Sequence, residues 1–145
     1  VVAKVVDPIE IINLQGTLVN SKRVAVHTPC SMQHGLGLSG KIEELLGQTG
    51  VDIIPHKEAH LCCGSAGTYN ILHSDQAEKL RARKLQNLLV ANGKIIATGN
   101  IGCLQQLSAR PGEKLIPPAV HTVELLDWAT GGPPPLGLEE ILCEQ

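Results

Sequence analysis

Four cysteines carry the chemical interest of this chain: Cys30, the adjacent pair Cys62 and Cys63, and Cys103. A disulfide between neighbouring cysteines closes a strained eight-membered ring, whereas two adjacent thiolates can face one metal centre without that distortion. Adjacency therefore points to metal. Four soft thiolates meet the demand of an iron-sulfur cluster or of a tetrahedral structural zinc. The stretch Leu61-Cys62-Cys63-Gly64-Ser65-Ala66-Gly67 is small and rich in backbone, so peptide N–H groups can approach sulfur closely. A redox thiol site at Cys62 and Cys63 is a weaker alternative. Cys143, alone in a polar tail, reads as a structural cysteine.

Six histidines invite a search for imidazole ligands. His34 and His60 flank the cysteine segments and are the two to test, while His27, His56, His73 and His121 read as surface or hydrogen-bonded core residues. Tyr69, the only tyrosine, packs beside the site or belongs to the core. The basic run Lys79, Arg81, Arg83, Lys84, interleaved with Leu80 and Ala82, reads as the solvated face of its helix, with docking of another subunit as the functional alternative.

Strands alternating with amphipathic helices must position these residues. Arg23 to Thr28 is a β-branched run stopped by Pro29 and predicts a strand buried on both faces, with Cys30 at its C-terminal end. Residues 41–48 place Ile42, Leu45 and Leu46 at helical spacing before Gly50, and 51–54 predict a second strand ended by Pro55. Asp75 and Glu78 form a candidate capping box for a helix carrying Ala77, Leu80, Leu85, Leu88 and Leu89 up to Gly93. Residues 94–98 predict a third strand, followed by a helix with Ile101, Leu104 and Leu107 on one stripe and Cys103 in its first turn. Ala119-Val120-His121 leads into a last helix, capped by Thr122, with Val123, Leu126 and Ala129 inward until Gly131-Gly132-Pro133. The pattern implies an α/β fold: a parallel sheet of about four strands with helices on both faces, Rossmann-like. Sites in such sheets assemble where strands end, which is where the cysteines fall.

The 145 residues suffice for one domain with a real core. A net charge of −2 supplies no basic field for nucleic acid or an anionic surface, and 1% aromatic content leaves no stacking platform. No apolar stretch is long enough to span a membrane, and the opening Val1-Val2-Ala3-Lys4 is no signal peptide. The odd, sparse cysteine count fits a reducing compartment, so the expectation is a soluble, cytoplasmic domain. Asp7-Pro8-Ile9-Glu10 reads like the middle of a longer polypeptide. The expected division is a connecting segment 1–20, a cysteine-rich domain 21–132 and a tail 133–145.

His27-Thr28-Pro29-Cys30, the block from His60 to Tyr69 and Asn100-Ile101-Gly102-Cys103 resemble the cysteine-rich CCG domain, in the branch found in iron-sulfur subunits of glycolate oxidases. The resemblance spans residues 21 to 130. It implies a 4Fe-4S cluster held by Cys30, Cys62, Cys63 and Cys103, with zinc as the alternative. It also implies electron relay from a flavin-containing subunit towards a membrane acceptor, peripheral to the inner face of the cell membrane. Such subunits carry an upstream ferredoxin-like module with CxxCxxCxxxCP motifs, and no such motif occurs here. The domain would be an electron-transfer station without catalytic residues of its own. Related heterodisulfide reductase subunits place a fifth cysteine where this chain has Asn100, and five thiolates hold a non-cubane cluster there. The glycolate oxidase branch resembles this chain in carrying asparagine at that position.

Overall fold

A computed structural model describes residues 6–12, 14 and 22–138, with a short helix α1 (Pro8–Ile11) ahead of the sheet. Cys143 and most of the expected connecting segment lie outside the described residues. Four strands, β1 (Arg23–His27), β2 (Asp52–Ile53), β3 (Ile95–Thr98) and β4 (Ala119–His121), form one all-parallel sheet in the order β2-β1-β3-β4. The expected α/β architecture is present. The edge strand β2 is shorter than the predicted 51–54, although the Ile54 amide still donates to the Val24 carbonyl at 2.8 Å.

Strand alternation divides the interior into two cores. Val24 and Val26 of β1, with Ile95 and Ala97 of β3, face one side. They pack there on Ile42, Leu45 and Leu46 of α2 (Lys41–Gln48) and on Leu125 and Leu126 of α6 (Thr122–Ala129). Ala25 and Ile96 face the other side, against Leu85 and Leu88 of α4 (Ser74–Val90) and Leu107 of α5 (Ile101–Leu107). Right-handed crossovers require this arrangement. The chain leaves β1 in one direction through α2 and returns past it through α4, so the two helices must cover opposite faces.

Several local expectations are corrected. The box of Asp75 and Glu78 does not form: a short helix α3 (Tyr69–Leu72) runs almost directly into α4, His73 occupies the cap position without a side-chain bond, and Glu78 pairs with Arg81 and Arg110. The cap of α6 is His121 rather than Thr122. Its Nδ1 accepts from the Val123 amide at 3.3 Å, and Glu124 accepts from the His121 amide at 3.1 Å. Thr122 is thereby turned inward and buried, and the inward stripe becomes Leu125, Leu126 and Ala129, with Val123 partly exposed. In α5 the inward residues are Cys103, Gln106 and Leu107, while Ile101 points out.

The largest correction concerns the basic run, because Arg81 and Lys84 are not solvated. They are 2% and 0% exposed. Arg81 donates from Nε to the Gln106 carbonyl at 2.7 Å and from Nη2 to the Ser108 carbonyl at 3.1 Å, and it pairs with Glu113. Lys84 Nζ donates to the carbonyls of Glu58 and Ala59 at 2.8 and 3.1 Å. Helix α4 thus grips the C-terminal end of α5 with one buried cation and the loop ahead of Cys62 with the other.

Candidate metal centre

Connections diverge to opposite sides of the sheet between β1 and β3, which leaves a crevice at their C-terminal ends. After β1, Pro29 has no amide hydrogen to continue a ladder, and its carbonyl accepts from the amides of Met32 and Gln33, both at 3.0 Å. This starts a wide π-type turn, Ser31–Gly35, with Cys30 at its head. After β3, the Asn100 side chain caps α5, its Oδ1 accepting from the amides of Gly102 at 2.9 Å and Cys103 at 3.2 Å. Asn100 is therefore engaged with backbone, and its role is to orient the turn that presents Cys103.

The Cys62-Cys63 pair enters from the loop held by Lys84. Gly64 allows the approach: its φ is +91°, and a Cβ there would lie 2.5 Å from the Ala77 carbonyl oxygen of α4. At Gly102 a Cβ would meet the Ser65 hydroxyl at 2.7 Å, so α5 and the cysteine loop also pack backbone against side chain. Ala66 takes a left-handed φ of +39°, a strained choice for a residue with a Cβ, in the segment closing the pocket.

All four cysteines expected from sequence line one pocket of about 330 Å³. Each is a free thiol. Cys63 Sγ lies 3.1 Å from Cys103 Sγ, and Cys30 and Cys62 line the same pocket. The expected N–H approach to sulfur is seen: the Gly64 amide donates to Cys62 Sγ at 3.3 Å and the Ser65 amide to Cys63 Sγ at 3.5 Å. Contact with Cys103 pushes the Cys63 thiol up to about 11, with burial adding to it. Cys62 is raised by the neighbouring Cys63 thiol and by burial, and Cys30 by burial and by Cys62. Thiols held protonated in this way are poor nucleophiles, which counts against the thiol-disulfide reading.

The histidines sort differently from the sequence expectation. His34 and His60 are exposed and do not line the pocket. His27 does not read as surface or as hydrogen-bonded core: it is 1% exposed, and neither ring nitrogen has a hydrogen-bond partner. One of its nitrogens and the sulfurs of Cys63 and Cys103 all lie within 4.8 Å of one another. Burial, with the charges of Lys84 and His56 adding to it, lowers His27 to about 3, so the ring is neutral. The signal was available in the alternation of β1, where Ala25 and His27 share a face. Tyr69 stacks on His73 with ring centroids 4.8 Å apart and does not line the pocket.

The donor set fits a soft metal. Four thiols line one pocket and a neutral imidazole beside two of them has no partner, and a metal would take up their lone pairs as the thiols lose protons. Lys84 places a buried positive charge where negative thiolates would gather: burial lowers it to about 8, against which Cys63, Glu58, Cys62 and Cys103 pull it upward.

The fold and the converging thiols define an α/β domain with a cysteine-lined crevice at the switch point of a parallel sheet. The family model described as the CCG cysteine-rich domain matches residues 24–108, and the chain belongs to that family. It is 38% identical over 103 residues to the glycolate oxidase iron-sulfur subunit of Escherichia coli (strain K12), covering 71% of this chain and 24% of that protein. It is 28% identical over 125 residues to lactate utilization protein A of Bacillus licheniformis, covering 85% and 52%. It is 30% identical over 112 residues to the probable glycolate oxidase iron-sulfur subunit of Bacillus subtilis (strain 168), covering 74% and 25%. The chain thus spans between a quarter and about half of the length of these relatives. Among the described residues, no helix is long and apolar enough to cross a membrane.

Proposed function

We propose that this domain holds an iron-sulfur cluster through Cys30, Cys62, Cys63 and Cys103 and serves as an electron-transfer station in the oxidation of glycolate or a related 2-hydroxy acid. The single observation carrying this reading is the convergence of four free thiols on one pocket at the switch point of the sheet. Two similar proteins are named as iron-sulfur subunits of glycolate oxidase, and another as a lactate utilization protein, which supports 2-hydroxy acids as the substrate class of the whole assembly. A flavin-containing subunit is the proposed electron donor, an upstream ferredoxin-like module the neighbouring station, and the cytoplasm or the inner face of the cell membrane the location.

When bound, the cluster supplies one-electron chemistry. The chain's own residues hold and tune it. The thiols deprotonate to bind, the amides of Gly64 and Ser65 donate to sulfur and favour the reduced state, and Lys84 offsets negative charge from beneath. Aliphatic packing by Leu85, Leu88 and Leu107 keeps the inner side dry.

Structural zinc is the second reading, favoured by the 3.1 Å between Cys63 and Cys103. That spacing is nearer to the roughly 3.8 Å separating two thiolates on one tetrahedral ion with bonds of about 2.3 Å than to sulfurs on separate irons. Anaerobic preparation of the full chain with iron and sulfide, followed by analysis of iron, zinc and acid-labile sulfide, tests the choice. Brown protein with iron and sulfide is expected. Colourless protein retaining zinc and no sulfide replaces the first reading with the second.

A further inference from the structure

His27 ends β1 on the face that carries Cys63 and Cys103, and its burial without a partner needs an account. A polar ring is kept in an interior when something there binds it. Neighbouring groups do not. Thr98, its register partner on β3, has a hydroxyl that is itself unpartnered, and Lys84 is turned to the carbonyls of Glu58 and Ala59. What the ring does face is sulfur. Nitrogen and thiolate ligands of one tetrahedral metal ion, at about 2.0–2.1 and 2.3 Å from it, lie about 3.6 Å from each other. The His27 nitrogen and the two sulfurs lie within 4.8 Å of one another, so a closure of about 1 Å at the widest separation brings all three onto one metal.

We propose that His27 is a ligand of the same centre, coordinating the iron nearest Cys63 and Cys103, so that the protein offers four thiolates and one imidazole. The assignment rests on the cluster reading above and adds to it a ligand of different chemistry. An imidazole donates as a neutral group, so it completes a coordination sphere without adding negative charge to a buried site. Mixed nitrogen and sulfur ligation also makes one iron unlike the others and draws the reduction potential upward. Its burial suits the role, because neither ring nitrogen is engaged by another group and a lone pair is left for metal.

The full chain, reconstituted anaerobically with ⁵⁷Fe and sulfide, is examined by Mössbauer spectroscopy as wild type, His27→Cys and His27→Ala. Wild type is expected to show one iron subsite with its own isomer shift, which merges with the rest in His27→Cys and changes in His27→Ala. Superimposable spectra of all three, at equal iron content, overturn the assignment. Wild-type protein carrying ¹⁵N-histidine, brought to a paramagnetic state, needs no substitution and covers the case of a variant that does not fold. The strong nitrogen coupling of a directly bonded ring is then expected by ENDOR, and a full cluster without it also overturns the assignment. A chain that takes up no iron and no sulfide overturns the cluster reading itself, and this ligand with it, so the two failures are told apart by the iron analysis.

Discussion

The two faces of the sheet are built from opposite materials. Against α2 and α6 the interior is aliphatic: Val24, Val26, Ile95 and Val120 meet Ile42, Leu45, Leu46, Leu125 and Leu126. Against α4 and α5 the apolar residues are fewer, and they share the space with Cys63, Cys103, His27, Thr98, Arg81 and Lys84. Both faces are lined by the same strands, whose alternation sends Val24 and Val26 one way and Ala25 and His27 the other. The difference separates two tasks. One face contributes the burial that stabilises the sheet, and the other can then hold polar groups, with His27 and Thr98 left without partners among them.

Substitutions on opposite faces should therefore fail in different ways. Leu46→Ala, in the aliphatic face, is expected to cost about 2–5 kcal/mol by denaturant unfolding. At low temperature it should still bind iron to the wild-type stoichiometry, and loss of iron from a folded Leu46→Ala protein would remove the proposed separation. Gly64→Ala meets the Ala77 carbonyl and a φ of +91°, and is expected to cost about 1–3 kcal/mol. Here iron and sulfide uptake should fall further than in Leu46→Ala at matched stability, because the displaced backbone carries Cys63. Asn100→Ala removes the cap of α5, with an expected cost of about 1 kcal/mol. Asn100→Asp should restore it, and if alanine at this position changes neither stability nor amide exchange in residues 101–103, the capping role is wrong.

The aliphatic face was legible in the sequence because periodicity is a local signal. Ile42, Leu45 and Leu46 were read as one stripe and are all buried. The placement of Cys30 and Cys103 at strand ends was legible for a similar reason, since one follows the proline that stops β1 and the other lies in the first turn of the helix after β3. The buried cations were not. Arg81 and Lys84 look like any basic helix face until their acceptors are known, and those acceptors are backbone carbonyls of distant segments, at Gln106 and Ser108 for one and at Glu58 and Ala59 for the other. His27 was missed through weighting rather than absence of signal. His27 is as near to Cys30 in sequence as His34 is, but a place inside a buried strand reads as core, and only the strand geometry shows it beside Cys63 and Cys103. Helix starts shifted by one or two residues where a strand or a helix runs directly into the next element, as at His121 and His73.

The pairing of β1 with β3 has a consequence for the order of events during synthesis. Val24 aligns with Ile95, about seventy residues away, so this is a contact of long sequence separation, and such contacts form slowly and late. Cys30 and the Cys62-Cys63 pair leave the ribosome well before Cys103, yet they have no common pocket until β3 has docked beside β1. The nascent chain therefore exposes three thiols with nowhere to converge, and the window for stray oxidation closes only when the sheet is complete. Under the proposed cluster reading, delivery of iron and sulfide is expected to follow folding rather than to nucleate it, with the finished domain and not the emerging chain as the acceptor.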